Sequence, residues 1–414
     1  MKTVAVDQNR LLDRIADFGT IGALEGGGVC RLALTNADKV GRDKLVAQMR
    51  ELDLAVSVDP IGNIFGTRAG RTAGPCVMLG SHIDSVATGG LYDGTLGVLG
   101  GLEVVAALNE AGVETERPIT VAAFTNEEGA RFAPDMLGSL VHVGGLSLAE
   151  ALDTVSIDGR RLGDELTRIG YAGEDQGPLE IAAYFELHIE QGPILEAEGI
   201  EIGVVAGVQG ISWSELTITG RSAHAGTTPL HLRHDAGLAA ALIAGNVDKI
   251  AREIGSGQVG TVGALTLSPN LVNVVAEKAV MTVDLRNPDE TLLQQAEARL
   301  AECIESVVEK ARVTVDRRTL ARFEPVAFAP ELVDAVEAEA HALGLSTKRL
   351  YSGAGHDAQM IARIAPAAMI FVPCVDGISH NVTEYTKPAD LVNGVNVLLQ
   401  LTLKQAAGGK QGDR

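Results

Sequence analysis

Basic residues are scarce in this chain: 34 Lys and Arg stand against 54 Asp and Glu, a formal net charge of −20 over 414 residues. Nucleic acid and anionic membrane surfaces both reward a basic face, so the deficit argues against either as a partner and leaves small molecules or other proteins. Cysteine is also sparse. Cys30, Cys76, Cys303 and Cys374 lie far apart and form no CxxC pair, the pattern of reduced thiols rather than of a disulfide framework. No run approaches the roughly 20 apolar residues of a membrane span, and the opening Met1-Lys-Thr-Val-Ala-Val-Asp-Gln-Asn-Arg lacks an apolar signal core. A cytoplasmic protein is the expectation. Repeats and low-complexity segments are absent, and the length exceeds one typical core and suits two domains.

The hydrophobic pattern divides the chain. Up to about Gly210, strand-like runs alternate with helical stretches. Residues 94–111 place Val98, Leu102, Val105 and Leu108 at spacings of three and four, with Gly112 where a helix C-terminus wants it. From about Ile211 the order becomes strand (213–219), helix (235–254), two strands (260–267 and 279–284), helix (290–311) and strand (313–317). That βαββαβ order predicts a small α+β domain, four strands with two helices on one face. After Phe323-Glu-Pro the first pattern resumes. The expectation is an α/β domain, a central mixed sheet covered by helices, from residues 1–210 and 326–414, with an inserted domain at 211–325.

Acidic and histidine side chains gather where the apolar runs end. His82 and Asp84 close the run from Cys76, Glu127 and Glu128 the run from Ile119, His188 and Glu190 the run from Ala183, and His380 follows the run from Ala367. In an open α/β sheet, ligands collect at the carboxyl ends of strands, so residues this far apart can form one metal site. Asp84 can hold the second ring nitrogen of His82. Asp93 precedes the 94–111 helix, where it reads either as an N-cap or as a carboxylate bridging two cations. Adjacent acids at a strand end can divide labour, one on metal and one on water, as Glu127-Glu128 suggests. His142, His231, His234 and His341 show no partner pattern and read as surface or capped residues. Gly353-Ala-Gly-His-Asp-Ala also reads as GxGxxA, a dinucleotide fingerprint, but His356-Asp357 suits a polar site better than a pyrophosphate cradle.

Several segments together carry a resemblance: Gly80-Ser-His-Ile-Asp-Ser-Val, Gly90-Leu-Tyr-Asp-Gly, Asn126-Glu-Glu-Gly-Ala-Arg-Phe, Glu186-Leu-His-Ile-Glu-Gln-Gly-Pro, Ala223-His-Ala-Gly-Thr-Thr-Pro, Asp284-Leu-Arg, Gly353-Ala-Gly-His-Asp-Ala and Gly377-Ile-Ser-His-Asn. In this order they resemble the amidase/hydantoinase/carbamoylase branch of the M20 metallopeptidase superfamily. The resemblance implies two divalent ions per subunit, zinc first, with manganese, cobalt or nickel as alternatives. It places His82, Asp93 and His188 on one ion and Asp93, Glu128 and His380 on the other. It makes Glu127 the general base and His224 the group that stabilises the oxyanion, supplied from the partner of a homodimer. Gln191, His224, Asn273 and Arg286 become substrate contacts, Arg286 for a carboxylate, with Gly355 and His356 in the carboxylate pocket. The inserted domain becomes a dimerising lid. The implied activity is hydrolysis of an N-carbamoyl-L-amino acid; allantoate amidohydrolase and β-ureidopropionase share the segments, and a dipeptidase, an aminoacylase or a non-catalytic binding protein stands further off.

Overall fold

A computed structural model describes residues 4–174, 177 and 179–407. The chain divides into two compact units, Met1–Gly207 with Ala327–Arg414, and Val208–Val326. The larger unit is built on a mixed sheet. Its strands run in the order Ala55–Val58, Ile64–Arg68, Ile119–Phe124, Cys76–His82, Ile181–Ile189, Ala367–Val372 and Ile202–Val208. Cys76–His82 lies parallel to Ile119–Phe124 and to Ile181–Ile189, which is in turn parallel to Ala367–Val372; the flanking pairings are antiparallel. Cys76–His82, Ile119–Phe124 and Ala367–Val372 are buried at every position, which explains their unbroken apolar runs.

Thr95–Glu110 is the helix predicted after Asp93, buried along nearly its whole length and packed against Pro388–Ala406 and Gln8–Phe18. It starts at Gly94, whose φ of +62° and tight surroundings admit no side chain: a Cβ there would lie 2.3 Å from the His82 ring. The parallel strands and this helix therefore deliver His82, Asp93 and His188 to one end of the sheet. Asp357–Ile361, the helix that opens after the glycine-rich Gly353 segment, is only five residues long. His142 departs from expectation. It packs against Phe65 and Phe124, ring centroids 5.3 and 6.0 Å away, and burial lowers its pKa. Among the described residues no helix is long and apolar enough to cross a membrane.

The smaller unit is an antiparallel sheet in the order Leu265–Ser268, Lys278–Asn287, Gly210–Thr219 and Thr314–Phe323, with Val259–Thr261 also paired to Lys278–Asn287. Inward positions alternate along its central strands, and Leu216, Ile218, Met281, Val283 and Leu285 meet Ala239, Ile243, Leu293 and Leu300 of two helices, Ala236–Ile254 and Glu290–Ala311. Asp235 and Asp289 cap those helices by accepting from the Leu238 and Leu292 amides, each cap worth about 1 kcal/mol. The strand expected over 260–267 is interrupted. Residues 262–264 oppose only 282 and 283, so a bulge splits it into Val259–Thr261 and Leu265–Ser268. The last strand extends to Phe323 because its pairing runs from Thr219 to Ile211, across a register shift between Thr319 and Ala321. A two-stranded ribbon of Ala223–His224 and Val274–Val275 had no period in the sequence to reveal it.

Candidate active site

Asp93 is the centre of the site. Its Oδ1 lies 3.6 Å from His82 Nε2 and 3.2 Å from His188 Nε2, and its Oδ2 lies 3.3 Å from His380 Nε2. His380 Nε2 is also 3.2 Å from Glu128 Oε2. One carboxylate thus belongs to two donor sets, His82–Asp93–His188 and Asp93–Glu128–His380, each with its ligand atoms within 4.8 Å of one another. The ring orientations follow from local hydrogen bonds. His82 Nδ1 donates to the Asp84 carbonyl at 3.0 Å and His188 Nδ1 to the Ile189 carbonyl at 2.9 Å, so both rings present Nε2 to the site. His380 enters from a loop, at a φ of +55°.

Glu127 and Glu128 follow Ile119–Phe124 in a turn instead of extending the strand, so both carboxylates reach the same cavity. Glu127 Oε2 is 3.4 Å from His82 Nε2 and lies outside both donor sets. The cavity, about 110 Å³, is lined by His82, Asp93, Glu127, Glu128, His188 and His380, with Asp135, Gln191, Ala354, Gly355 and His356 completing its wall. Imidazole and carboxylate donors together suit divalent transition metals. Within the second donor set the buried Glu128 Oε1 has no hydrogen-bond partner, as expected of an atom that faces a cation. The residues therefore fit divalent metal ions.

A third grouping, Glu186–His188–His356, also brings its ligand atoms within reach of a cation. Its atoms are already committed. Glu186 accepts from Ser81 Oγ at 2.6 Å, the Tyr184 hydroxyl at 3.2 Å and the Ala358 amide at 2.8 Å, and His356 Nε2 pairs with Ser352 Oγ at 2.8 Å. This is a network beneath the site.

The electrostatics follow from burying many acids with few bases. Burial pushes the Glu127 carboxyl well above the usual range, and Asp357, Glu128 and Asp93 add to the rise against the pull of His82. Burial opposes charge on Asp93 too, but the close His188, His380 and His82 imidazoles outweigh it and hold Asp93 well below its ordinary value. Hydrogen bonds to Asp93 and Glu128 raise His380 to about 10.

Asp84 acts differently from its sequence reading. The partner of the His82 ring is the Asp84 main-chain carbonyl, while its carboxylate is 3.9 Å from Nδ1 and accepts from the Glu127 and Glu128 amides at 3.3 and 3.4 Å. It shapes the turn that carries the acid pair. Gly355 and His356 line the same cavity, and Asp135 stands beside Gly355. Gln191 Nε2 donates to Asp93 Oδ2 at 2.9 Å and so also orients the shared carboxylate.

Three supporting residues escaped the sequence reading. Ser379 Oγ lies 3.0 Å from Asp93 Oδ2 and 2.9 Å from Glu384 Oε2. Glu384 is buried and also accepts from the Tyr92 and Asp93 amides at 3.1 and 3.3 Å. Arg31, 1% exposed, donates to the Ile83 carbonyl between His82 and Asp84 and to Thr95 Oγ1 at the start of the helix. A lone acid four residues past His380 looks like any surface acid in sequence, and only the loop's return beneath Asp93 gives it a task. Glu384→Ala is expected to weaken metal binding about 10- to 100-fold, with Glu384→Gln milder, measured by competition with a chromophoric chelator.

On the smaller unit, His224 and Asn273 are neighbours: the ribbon pairs His224 with Val274, and the Ala225 amide donates to the Asn273 carbonyl at 2.9 Å. His224 Nδ1 accepts from the Gly226 and Thr227 amides at 3.0 and 3.2 Å, which leaves the ring proton on Nε2, at an exposed position. Arg286 lies on Lys278–Asn287, with Nε 3.1 Å from both Asp284 oxygens and its guanidinium 5.4 Å from the Trp213 ring.

Residues 78–404 match Peptidase family M20/M25/M40, and the chain belongs to that family. Within it the chain is an amidohydrolase of the hydantoinase/carbamoylase type. The N-carbamoyl-L-amino-acid amidohydrolase of Rhizobium meliloti is 44% identical over 403 residues, 97% of each chain. A ureidoglycolate hydrolase of Arabidopsis thaliana is 36% identical over 97% of this chain and 87% of its own. The crystal structure of a hydantoinase/carbamoylase family amidase from Burkholderia multivorans superposes with a TM-score of 0.94 at 45% identity, covering 98% of this chain and 99% of that one.

Proposed function

We propose that this protein hydrolyses the carbamoyl C–N bond of an N-carbamoyl-L-amino acid, releasing the L-amino acid, CO₂ and ammonia through an unstable carbamate. The observation that carries the reading is Asp93, one buried carboxylate shared by two donor sets with Glu127 beside it and outside both. His82, Asp93 and His188 hold one divalent ion and Asp93, Glu128 and His380 the other, zinc first, with manganese, cobalt or nickel compatible with the same donors. Such ions supply Lewis acidity to a carbonyl oxygen and to a water molecule. Glu127 takes a proton from the attacking water and hands it to the departing nitrogen of the amino acid. His224 donates Nε2–H to the oxyanion, a contribution typically worth about 3 kcal/mol. Arg286, its guanidinium plane fixed by Asp284 and Trp213, pairs with the substrate carboxylate in the bidentate way its fork allows, and Gln191 and Asn273 complete the contacts.

The smaller unit serves as lid and dimerisation domain in this reading. Leu265 and Leu267 on an edge strand, with Leu271 and Val272 just beyond it in sequence and Leu238 on the adjoining helix, are each at least 39% exposed, a concentration of apolar surface that suits a second copy. If His224 acts on the partner's substrate, mixing Glu127→Gln and His224→Ala chains restores turnover in the heterodimer, since one of its sites is then complete. No recovery after subunit exchange would place His224 in its own chain's site.

The ureidoglycolate hydrolase relative favours one second reading, another ureido carboxylate such as allantoate. Ammonia release by apo protein reconstituted with each metal, on N-carbamoyl-L-methionine, N-carbamoyl-β-alanine and allantoate, with amine detection on a dipeptide alongside, separates them. The proposal expects N-carbamoyl-L-methionine to lead; allantoate in first place would install the second reading, and activity confined to a dipeptide would overturn both.

A further inference from the structure

The acid pair stands at the start of a loop that closes on itself. The Asn126 side-chain amide donates to the Phe132 and Pro134 carbonyls at 2.8 and 3.2 Å, the Met136 amide bonds the Glu127 carbonyl at 2.7 Å, and the Leu137 amide bonds the Asn126 carbonyl at 3.2 Å. The crossing is tight: at Gly129, with a φ of +62°, a Cβ would lie 2.8 Å from the Asp135 main chain. Asp135 is thereby returned to the cavity that Glu127 and Glu128 line. Across from it a Cβ on Gly355 would sit 2.9 Å from Met136 Cε and 3.7 Å from Asp135 Oδ2, so the wall there is narrow and carries one carboxylate.

That carboxylate is outside both donor sets and outside the proton transfer assigned to Glu127. Its place in the cavity wall gives it a choice of substrate group. An ionised carboxylate offers only acceptor oxygens, so it repels a second carboxylate and rewards an N–H donor. A ureido group differs from an ordinary acyl group by the NH₂ on its carbonyl carbon. Resting on the carbamoyl reading above, we propose that Asp135 accepts a hydrogen bond from this terminal NH₂ and so selects N-carbamoyl over N-formyl and N-acetyl amino acids.

The test compares N-carbamoyl-L-methionine with N-formyl-L-methionine, which lacks the donor, in the metal-loaded wild type, Asp135→Ala and Asp135→Asn. A hydrogen bond to a charged acceptor predicts that Asp135→Ala loses about 10- to 100-fold in kcat/KM on the carbamoyl compound and keeps its rate on the formyl one. Asp135→Asn, which retains a carbonyl acceptor, falls between. Calorimetric binding of the two compounds to the Glu127→Gln protein, with and without Asp135→Ala, should show the same selective loss without turnover. An equal change on both substrates, or none, overturns the role of Asp135 while the carbamoyl reading stands. A wild type inert on both compounds overturns the two together.

Discussion

Glu127→Gln is expected to lower kcat by about 10²- to 10⁴-fold, the range that a positioned base contributes, while bound metal stays at its wild-type level. The amide keeps the shape of the side chain but cannot take a proton. Glu127 belongs to neither donor set, and its Oε2 lies 3.4 Å from His82 Nε2 without being needed to hold that ring, which Nδ1 fixes on the Asp84 carbonyl, so the ligands keep their places. Kinetics and metal analysis on one preparation check both; loss of metal together with activity would make Glu127 a ligand.

Substituting Asp93 should be more destructive still, because one residue serves both donor sets. Asp93→Asn is expected to abolish turnover and to strip both ions, whereas His380→Ala should lose one ion and keep the other. The contrast is the informative part. Asn retains volume and a carbonyl for Ser379 and Gln191 but removes the charge that His82, His188 and His380 face, and breaking a buried ion pair from one side typically costs about 3–5 kcal/mol. Metal per chain after gel filtration reads the result. Equal losses in the two variants would mean that the two sets do not bind independently.

The larger unit was legible where one physical constraint acted alone. Strands buried on both faces read as continuous apolar runs, and the helix after Asp93, itself apolar and buried nearly throughout, was legible from its bounds, Gly94 and Gly112. Nomination of His82, Glu127, Glu128, His188 and His380 rested on where those runs stop, since strand ends share one edge of a sheet, whereas Asp93 was nominated from its place before a helix and, like the two donor sets, from the family resemblance. What stayed hidden depends on the chain crossing itself. Nothing local distinguishes Glu384 from a solvated acid, or Asp135 from a turn residue, until a loop brings each against Asp93 or into the cavity wall. Asp84 shows the same limit on a smaller scale: proximity in sequence to His82 suggested a carboxylate contact, while the backbone turn gave that contact to the carbonyl and turned the side chain to the Glu127 and Glu128 amides. The bulge at 262–264 likewise follows from strand register, which no single strand's pattern contains.

The most direct test of the account is a titration of metal-free protein with Zn²⁺ in which bound metal per chain and ammonia release from N-carbamoyl-L-methionine are read from the same samples. The account predicts that ammonia release rises with loading, levels off at two ions per chain, and disappears when a chelator removes them. Turnover that persists in the stripped protein, or a fully loaded protein that releases no ammonia, would contradict it.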